Sequence, residues 1–540
     1  MSALPDHRFY YLHNFQRALG WLQERYGVLL SDEERSFIAQ FGELPREARA
    51  LLVRLIMRRG PLFRESKIRY EEIADVQAAL AALQDSGWVD LDPPVSIGQL
   101  ATLIPKAVLA EHWNVARNVS KAELCAGLEV AFPHALLASQ WTVLAGERLI
   151  EVKIAALCER LKLLFFGNFH QDWKEFVLSD LGIFKYESIE MAAGEKAFDS
   201  RDQIEAFYAL ADARKAFEND EPLQSVQERI PTAPLQPEWL EERRARMQFA
   251  IAREYERADE LAAAFELYRC CRSPESRVRA VRVLEKQNRC AQAVDLIETY
   301  LAEPLIESDR ERLERAARRM SNEKRSPRAS RLVVPTLALQ LQDWSRVEEE
   351  AMQSLQTPDA PVFYVENLLL NGLFGLWCWD AVFASVPGAF FHPFQSGPAD
   401  LYSPFFRERR REWFDRAFEV LDRNEHSELI RERFRSKQGI QNPFVFWGGW
   451  TEALLDLALL CIPVADLRCM FERMLADLEH HTSGFPDLVQ FYPIERRYRF
   501  IEVKGPGDRL QDHQRRWMQF FGERGIPAAV CHVTRVQAAA

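Results

Sequence analysis

Near its C-terminal end the chain reads SGFPDLVQFYPIERRYRFIEVKGPGD over residues 483–508. An aspartate, a glutamate and a lysine in that stretch are spaced for metal-assisted chemistry. Glu502 follows Asp487 by fifteen residues, and Lys504 follows Glu502 by two. Side chains alternate along a strand, so Glu502 and Lys504 share one face and Val503 takes the other. A short turn at 493–496 folds the strand that begins after Asp487 back onto the strand holding Glu502. The three groups then meet at one edge of a small sheet. Two carboxylates are hard oxygen ligands suited to Mg²⁺ or Mn²⁺. A cation held there stabilises charge on a phosphate and helps generate hydroxide from water. A lysine beside it orients that water or neutralises the transition state. Glu-x-Lys alone occurs by chance on many exposed hairpins. The informative signal is the ordered run of Gly484, Pro-Asp, strand, Glu-x-Lys, glycine and a helix bearing Gln514.

The elements that must position these groups are legible nearby. Strands are expected over 488–492 and 498–503, and a helix over 510–521 with Trp517, Met518 and Phe521 at helical spacing. A third strand is expected over 528–533, after a turn at 525–527. Upstream, residues 9–90 read as helices. Residues 104–130 read as helix, polar loop, helix, with Ser120 an N-cap and Glu123 completing a capping box. Residues 150–215 are mixed, and a proline-bearing linker follows. Residues 238–357 read as helical, with a repeat at an offset of 29 that lays Ala264 on Ala293 and Leu267 on Leu296. From Pro361 an apolar helix begins, in which Glu366 stands out as a charge. Further helices are expected over 381–480.

At 540 residues the chain is too long for one hydrophobic core. We divide it at 1–100 (N-terminal helical), 101–220 (SAP-like, DNA-binding), 221–360 (TPR-like repeats) and 361–540 (nuclease with a helical insertion). The fold class is multidomain and mainly α, with a C-terminal α/β core. Nine scattered cysteines without a C-x-x-C pair suit a reduced, cytoplasmic setting. No signal-length or membrane-spanning apolar run appears. The net charge of −11 offers no global attraction for nucleic acid. Any DNA contact must therefore be local. Residues 44–72 carry eight Arg/Lys against four Glu, which singles out Arg58, Arg59 and Lys67. Lys106 and Lys121 of the helix-loop-helix are the other candidates. Residues 407–437 look basic, but ten Arg/Lys face eight Asp/Glu there, as on a solvated helix.

The run GFPDL…IEVKGPGDRLQDHQRRWM…GIPAAVCHV resembles a VRR-NUC domain of the PD-(D/E)XK nuclease class, and specifically that of the Fanconi-associated nuclease family. The upstream segments fall in that family's order. The resemblance implies a core of Asp487 and Glu502 as metal ligands, the Val503 carbonyl completing the shell, Lys504 as catalytic lysine and Gln514 in support. It also implies a further metal-binding glutamate on a preceding helix, matched here by Glu366, thirteen residues before Trp379. It implies a metal-dependent 5′-flap endonuclease and 5′→3′ exonuclease of phosphodiesterase I type, acting as a monomer on branched DNA in interstrand-crosslink repair. Protein partners would meet the TPR-like repeats. Two departures are notable. Glu479 and His513 stand where eukaryotic members place basic residues of a 5′-phosphate pocket, and no ubiquitin-binding zinc finger precedes residue 104. Both fit a bacterial-type, nucleoid-associated member; a eukaryotic one would be nuclear. Two rivals remain: a dimeric four-way-junction resolvase, and a non-catalytic TPR/SAP scaffold.

Overall fold

Where the sequence alternates leucines as TLALQL, the chain forms a strand rather than the helix expected for residues 238–357. In this computed structural model, Thr336–Leu341 pairs in parallel with Ala528–Arg535, nearly two hundred residues later. The structure describes residues 7–58, 60–115, 118–180, 182–191, 195–303, 305–320, 335–341, 346–403 and 405–535. Contacts divide the chain into two units. One comprises residues 1–186, 191–199 and 391–394, and the other comprises 187–190, 200–390 and 395–540.

The first unit opens with helices Tyr10–Tyr26, Asp32–Glu43 and Arg46–Ile56. Ser31 starts the second with a reciprocal capping box to Glu34. Leu51 and Leu55 are fully buried, as their spacing implied. The expected helix over "YEEIADVQ" begins only at Val76, where the Asp75 side chain caps Ala78 N–H at 2.9 Å. Short strands that the helical reading missed complete this unit: β1 (Leu62–Arg64), β2 (Val89–Asp90), β3 (Pro94–Val95), β4 (Leu136–Leu137) and β5 (Leu149–Val152). They pair as β1-β5-β2 and β3-β4. Helices Lys106–His112 and Lys121–Ala131 flank a loop, and the Ser120–Glu123 capping box forms. Their core residues Leu109, Leu124 and Leu128 pack in one cluster with Leu62 and Leu149. The boundary drawn at 100/101 therefore cuts through a shared core, and the helix pair does not stand alone.

The second unit begins with helix Arg201–Glu218, which the 101–220 segment had claimed. Paired helices follow: Glu238–Arg257, Leu261–Cys270, Pro274–Lys286, Cys290–Leu301 and Glu307–Met320. Ala264 and Ala293, aligned by the repeat, are both fully buried. Small residues there let neighbouring helices close on one another.

The sheet of this unit has five strands: β6 (Thr336–Leu341), β7 (Val362–Tyr364), β8 (Leu488–Tyr492), β9 (Arg497–Lys504) and β10 (Ala528–Arg535), in the order β6-β10-β9-β8-β7. The expected β8 is matched residue for residue, and β9 and β10 within two residues. Edge strands β6 and β7 were read as helix. β6 lies inside the span assigned to repeats, so the 360/361 boundary also fails. One face of the sheet buries Leu488, Ile501, Val503, Cys531 and Val533 beneath helix Val347–Leu355. The other face stacks Phe500 on Phe521 of helix Asp512–Arg524, ring centroids 5.3 Å apart. Trp517 and Met518 of that helix are buried, as their spacing required.

Candidate metal centre

The β8–β9 hairpin sets the site. Leu488 pairs with Ile501 in antiparallel register, so Asp487 lies one step beyond the ladder, across from Glu502. Its Oδ2 accepts the Val503 N–H at 2.8 Å. Gly484 makes the approach to Asp487 possible. Its φ is +85°, and a Cβ there would lie 2.4 Å from His513 Cδ2. On the other side of β9, Val530 of β10 pairs with Glu502. Glu502 is thus enclosed between two strands and under a helix, with no exposed surface. Lys504 shares its face, as alternation requires, and places Nζ 2.7 Å from Glu502 Oε1. That is a charge-assisted contact for Oε1, while Oε2 has no hydrogen-bond partner among the described residues.

Glu366 does not lie in a helix. β7 ends at Tyr364, and a turn with Asn367 at φ +51° precedes helix Leu369–Trp377. The Val365 N–H donates to the Asp487 carbonyl at 2.8 Å, which tethers this turn to the core. The Glu366 carboxylate is exposed and accepts from the Tyr364 hydroxyl. Burial, then Glu366, pushes the Tyr364 phenol up.

The electrostatics are those of an under-compensated anionic site. Burial pushes Glu502 up to about 7, and the Asp487 charge adds to the rise against Lys504. Burial likewise pushes Asp487 up to about 6, opposed by the Val503 N–H and Lys504, with Glu366 and Glu348 adding to it. The donor set suits a hard divalent cation: three carboxylates and the Val503 carbonyl. The fully buried Glu502 Oε2, without a hydrogen bond, is what such an ion would satisfy. Each carboxylate is turned to its own neighbour, however: Asp487 to Val503 N–H, Glu502 to Lys504, Glu366 to Tyr364. Among the described residues no three His, Cys, Asp or Glu are gathered tightly enough to enclose an ion in this side-chain arrangement.

The other candidates divide. Gln514 caps its helix, its Oε1 accepting the Gln511 N–H at 3.0 Å. In the first unit Arg58 and Lys67 are exposed and adjacent, Arg58 donating to the Lys67 carbonyl at 3.4 Å. Arg59 lies outside the described residues. Part of the positive excess over 44–72 is neutralised from outside the segment, since Arg64 Nε donates to Glu147 at 2.6 Å, and within it Arg54 is held by Glu72 at 2.6 Å. Lys106 and Lys121 each open a helix, and Lys121 Nζ donates to the Ile104 carbonyl at 3.2 Å. Within 407–437 the solvated-helix reading needs correction. Arg410 is fully buried on Asp400 at 2.7 Å, and Arg433 donates to the Leu376 and Trp377 carbonyls. Sequence reasoning missed Tyr364 and Glu348 as neighbours of the carboxylates. Pairing of "VFY" with β8 brings Tyr364 there, and helix Val347–Leu355, packed on the sheet, carries Glu348.

Comparison with known proteins gives the family. The family model described as "FAN1, HTH domain" matches residues 9–90, and the "VRR-NUC domain" model matches residues 422–535. The Fanconi-associated nuclease 1 homolog of Pseudomonas aeruginosa is 44% identical, covering 98% of this chain and 96% of its own. The homolog of Arabidopsis thaliana is 23% identical over 97% of this chain and 67% of its own. The crystal structure of paFAN1 bound to 2nt 5′flap DNA with gap superposes with a TM-score of 0.94, covering 99% of this chain and 100% of that one at 44% identity. A second crystal structure, of paFAN1 bound to 1nt 5′flap DNA with gap, gives 0.91 over 98% and 100%.

Proposed function

This chain belongs to the Fanconi-associated nuclease family, and from that premise we propose a metal-dependent, structure-selective nuclease that hydrolyses phosphodiester bonds in branched DNA. Its activities are 5′-flap endonuclease and 5′→3′ exonuclease of the phosphodiesterase I type, and its role is interstrand-crosslink repair. The observation that carries this reading is Glu502. A carboxylate with no exposed surface, one oxygen on a lysine and the other without a hydrogen bond is under-compensated, and a cation would complete it.

Glu366, Asp487, Glu502 and the Val503 carbonyl would hold Mg²⁺ or Mn²⁺. Bound there, the ion supplies charge neutralisation at the scissile phosphate and acidifies water. The chain's own groups do the rest. Asp487 is fixed by the Val503 N–H, so its carboxylate is oriented before substrate arrives. Lys504 places an ammonium beside both buried carboxylates, where it orients the attacking water and offsets charge building on the phosphorane oxygens. Tyr364 steadies the exposed Glu366 through its hydroxyl. Shape and phosphate contacts select the substrate. Arg58, Lys67, Lys106 and Lys121 are the proposed phosphate contacts, Arg59 with them. Gln514 supports the site by fixing the start of the helix that covers it.

The test incubates the protein with labelled 5′-flap, 3′-flap, four-way-junction and duplex DNA under Mg²⁺, Mn²⁺ or EDTA. Cation-dependent cutting with preference for the 5′-flap is expected. Equal cutting in EDTA overturns the metal reading, and a preference for four-way junctions by a tight dimer overturns the flap reading.

A further inference from the structure

The loop 442–450, NPFVFWGGW, packs against the helix that follows Glu366, and it does so through glycines. A Cβ on Gly372 would lie 2.3 Å from the Trp450 ring, one on Gly375 2.8 Å from Phe444 Cβ, and one on Gly449 2.8 Å from Leu368 Cδ2. Leu368 stands two residues from Glu366. The loop is fixed at its other points too. Asn442 Oδ1 accepts the Phe444 N–H at 2.8 Å, and Trp447 Nε1 donates to the Ile440 carbonyl at 2.7 Å. Phe444, Val445 and Trp450 turn inward and are buried. Phe446 does the opposite and is 72% exposed, the far end of its ring resting over Gly448.

Single exposed apolar side chains are common and usually need no explanation. This one differs in its support. A loop held by three close approaches that only glycine allows presents one phenyl ring to solvent, next to the turn that carries a metal ligand. With consecutive Cα atoms ~3.8 Å apart, the chain path from Phe446 through Gly449 and Leu368 to Glu366 is at most about 25 Å. That is the length of a short stretch of duplex. The carboxylates and Lys504 address phosphate only, so nothing in the site itself senses whether the neighbouring strand is continuous.

We infer that Phe446 is a stacking residue that packs its ring on the nucleobase exposed at the strand discontinuity, and so sets which phosphate reaches Asp487 and Glu502. The inference rests on the nuclease reading above. A rigid aromatic face stacks on any base without regard to sequence. Apolar wedges of this kind act at unstacked steps and not along continuous duplex.

The experiment measures affinity for 5′-flap DNA and for continuous duplex of equal length, with Ca²⁺ replacing Mg²⁺, and then maps the cut position with Mg²⁺. Phe446→Ala is expected to weaken flap binding about tenfold, within the range of one lost base–aromatic stack. Duplex affinity stays within twofold, and the cut spreads over neighbouring phosphates. Phe446→Trp restores both properties and Phe446→Leu restores neither, which separates stacking from simple apolar burial. Thermal melting of each variant checks that the loop holds. An unchanged flap-to-duplex ratio with an unchanged cut position in Phe446→Ala overturns the inference while the nuclease reading stands. Absence of cation-dependent cutting by the unaltered protein overturns both.

Discussion

Two buried glutamates in the second unit are handled in opposite ways. Glu256, in the paired-helix array, is 4% exposed, and burial pushes its carboxyl up. The array more than offsets this: Lys286 lies at 2.9 Å, Arg279 at 2.6 Å, and the Tyr268 hydroxyl donates at 3.1 Å. Its pKa ends below the ordinary value. Glu502, in the sheet, has one ammonium, an anionic neighbour and an oxygen without a hydrogen bond, and burial pushes it up to about 7. Where a buried charge serves packing, the fold completes its shell. At Glu502 the shell is left open, and the proposed cation would complete it.

The largest expected effect separates the two at the level of chemistry. Asp487→Ala or Glu502→Ala should lower cleavage of a 5′-flap by at least about a thousandfold, on the scale of losing a catalytic group. DNA affinity, read by fluorescence anisotropy, should hold. Glu256→Gln should leave the cleavage rate at saturating DNA untouched. Near-normal turnover of either sheet variant under Mn²⁺ would break the comparison.

Stability should reverse the order. Glu256→Gln strands partly exposed Arg279 and Lys286, and should cost about 2 kcal/mol, below the range for a fully buried pair. Denaturant melts report it. Glu502→Gln removes an under-compensated charge and should raise the melting temperature of the cation-free protein at pH 8. A lower one would mean that Glu502 is a structural charge.

The pH dependence sharpens this. Asp487 and Glu502 have folded pKa values raised above their unfolded ones. Their favourable contribution is complete below about pH 4 and is lost as pH rises through about 6 to 7. The double variant Asp487→Asn/Glu502→Gln should flatten that part of the stability profile. Added Mg²⁺ should raise the melting temperature more at pH 8 than at pH 5.5, since binding requires the ionised carboxylates.

Glu366→Gln tests an exposed ligand, and should cut the rate by orders of magnitude while moving the melting temperature by a few degrees at most. The smallest effect belongs to the first unit. Reversing Arg58, Arg59 and Lys67 to Glu should weaken flap binding and flatten the salt dependence by about 0.9 per lost phosphate contact in log–log slope. Titrations between low and moderate salt decide it, and an unchanged slope removes these residues from the DNA path.

The site was legible in the sequence where its geometry is local. Strand alternation put Glu502 and Lys504 on one face, and the four-residue turn placed Asp487 across from Glu502, as the register bears out. The Ser120–Glu123 capping box was equally local. What sequence did not give depends on distant pairing. The "FYV" stretch is apolar enough to continue into a helix. It becomes β7 because β8, over a hundred residues on, offers an edge. β6 shows its leucine alternation openly, yet its partner is β10. The opposite fates of Glu256 and Glu502 are likewise invisible along the chain, since every partner that distinguishes them arrives from another element.

The position of β10 has a consequence for the order in which the protein is made. It is the last of the described strands, yet it lies inside the sheet, between β6 and β9. Until it leaves the ribosome, β6 has no neighbour and one flank of Glu502 is open to water. Without β10, Glu502 lacks the strand that walls it on that side. On the proposed function, cleavage therefore waits on β10, because Glu502 is walled on both sides only once this strand has closed the sheet beside it.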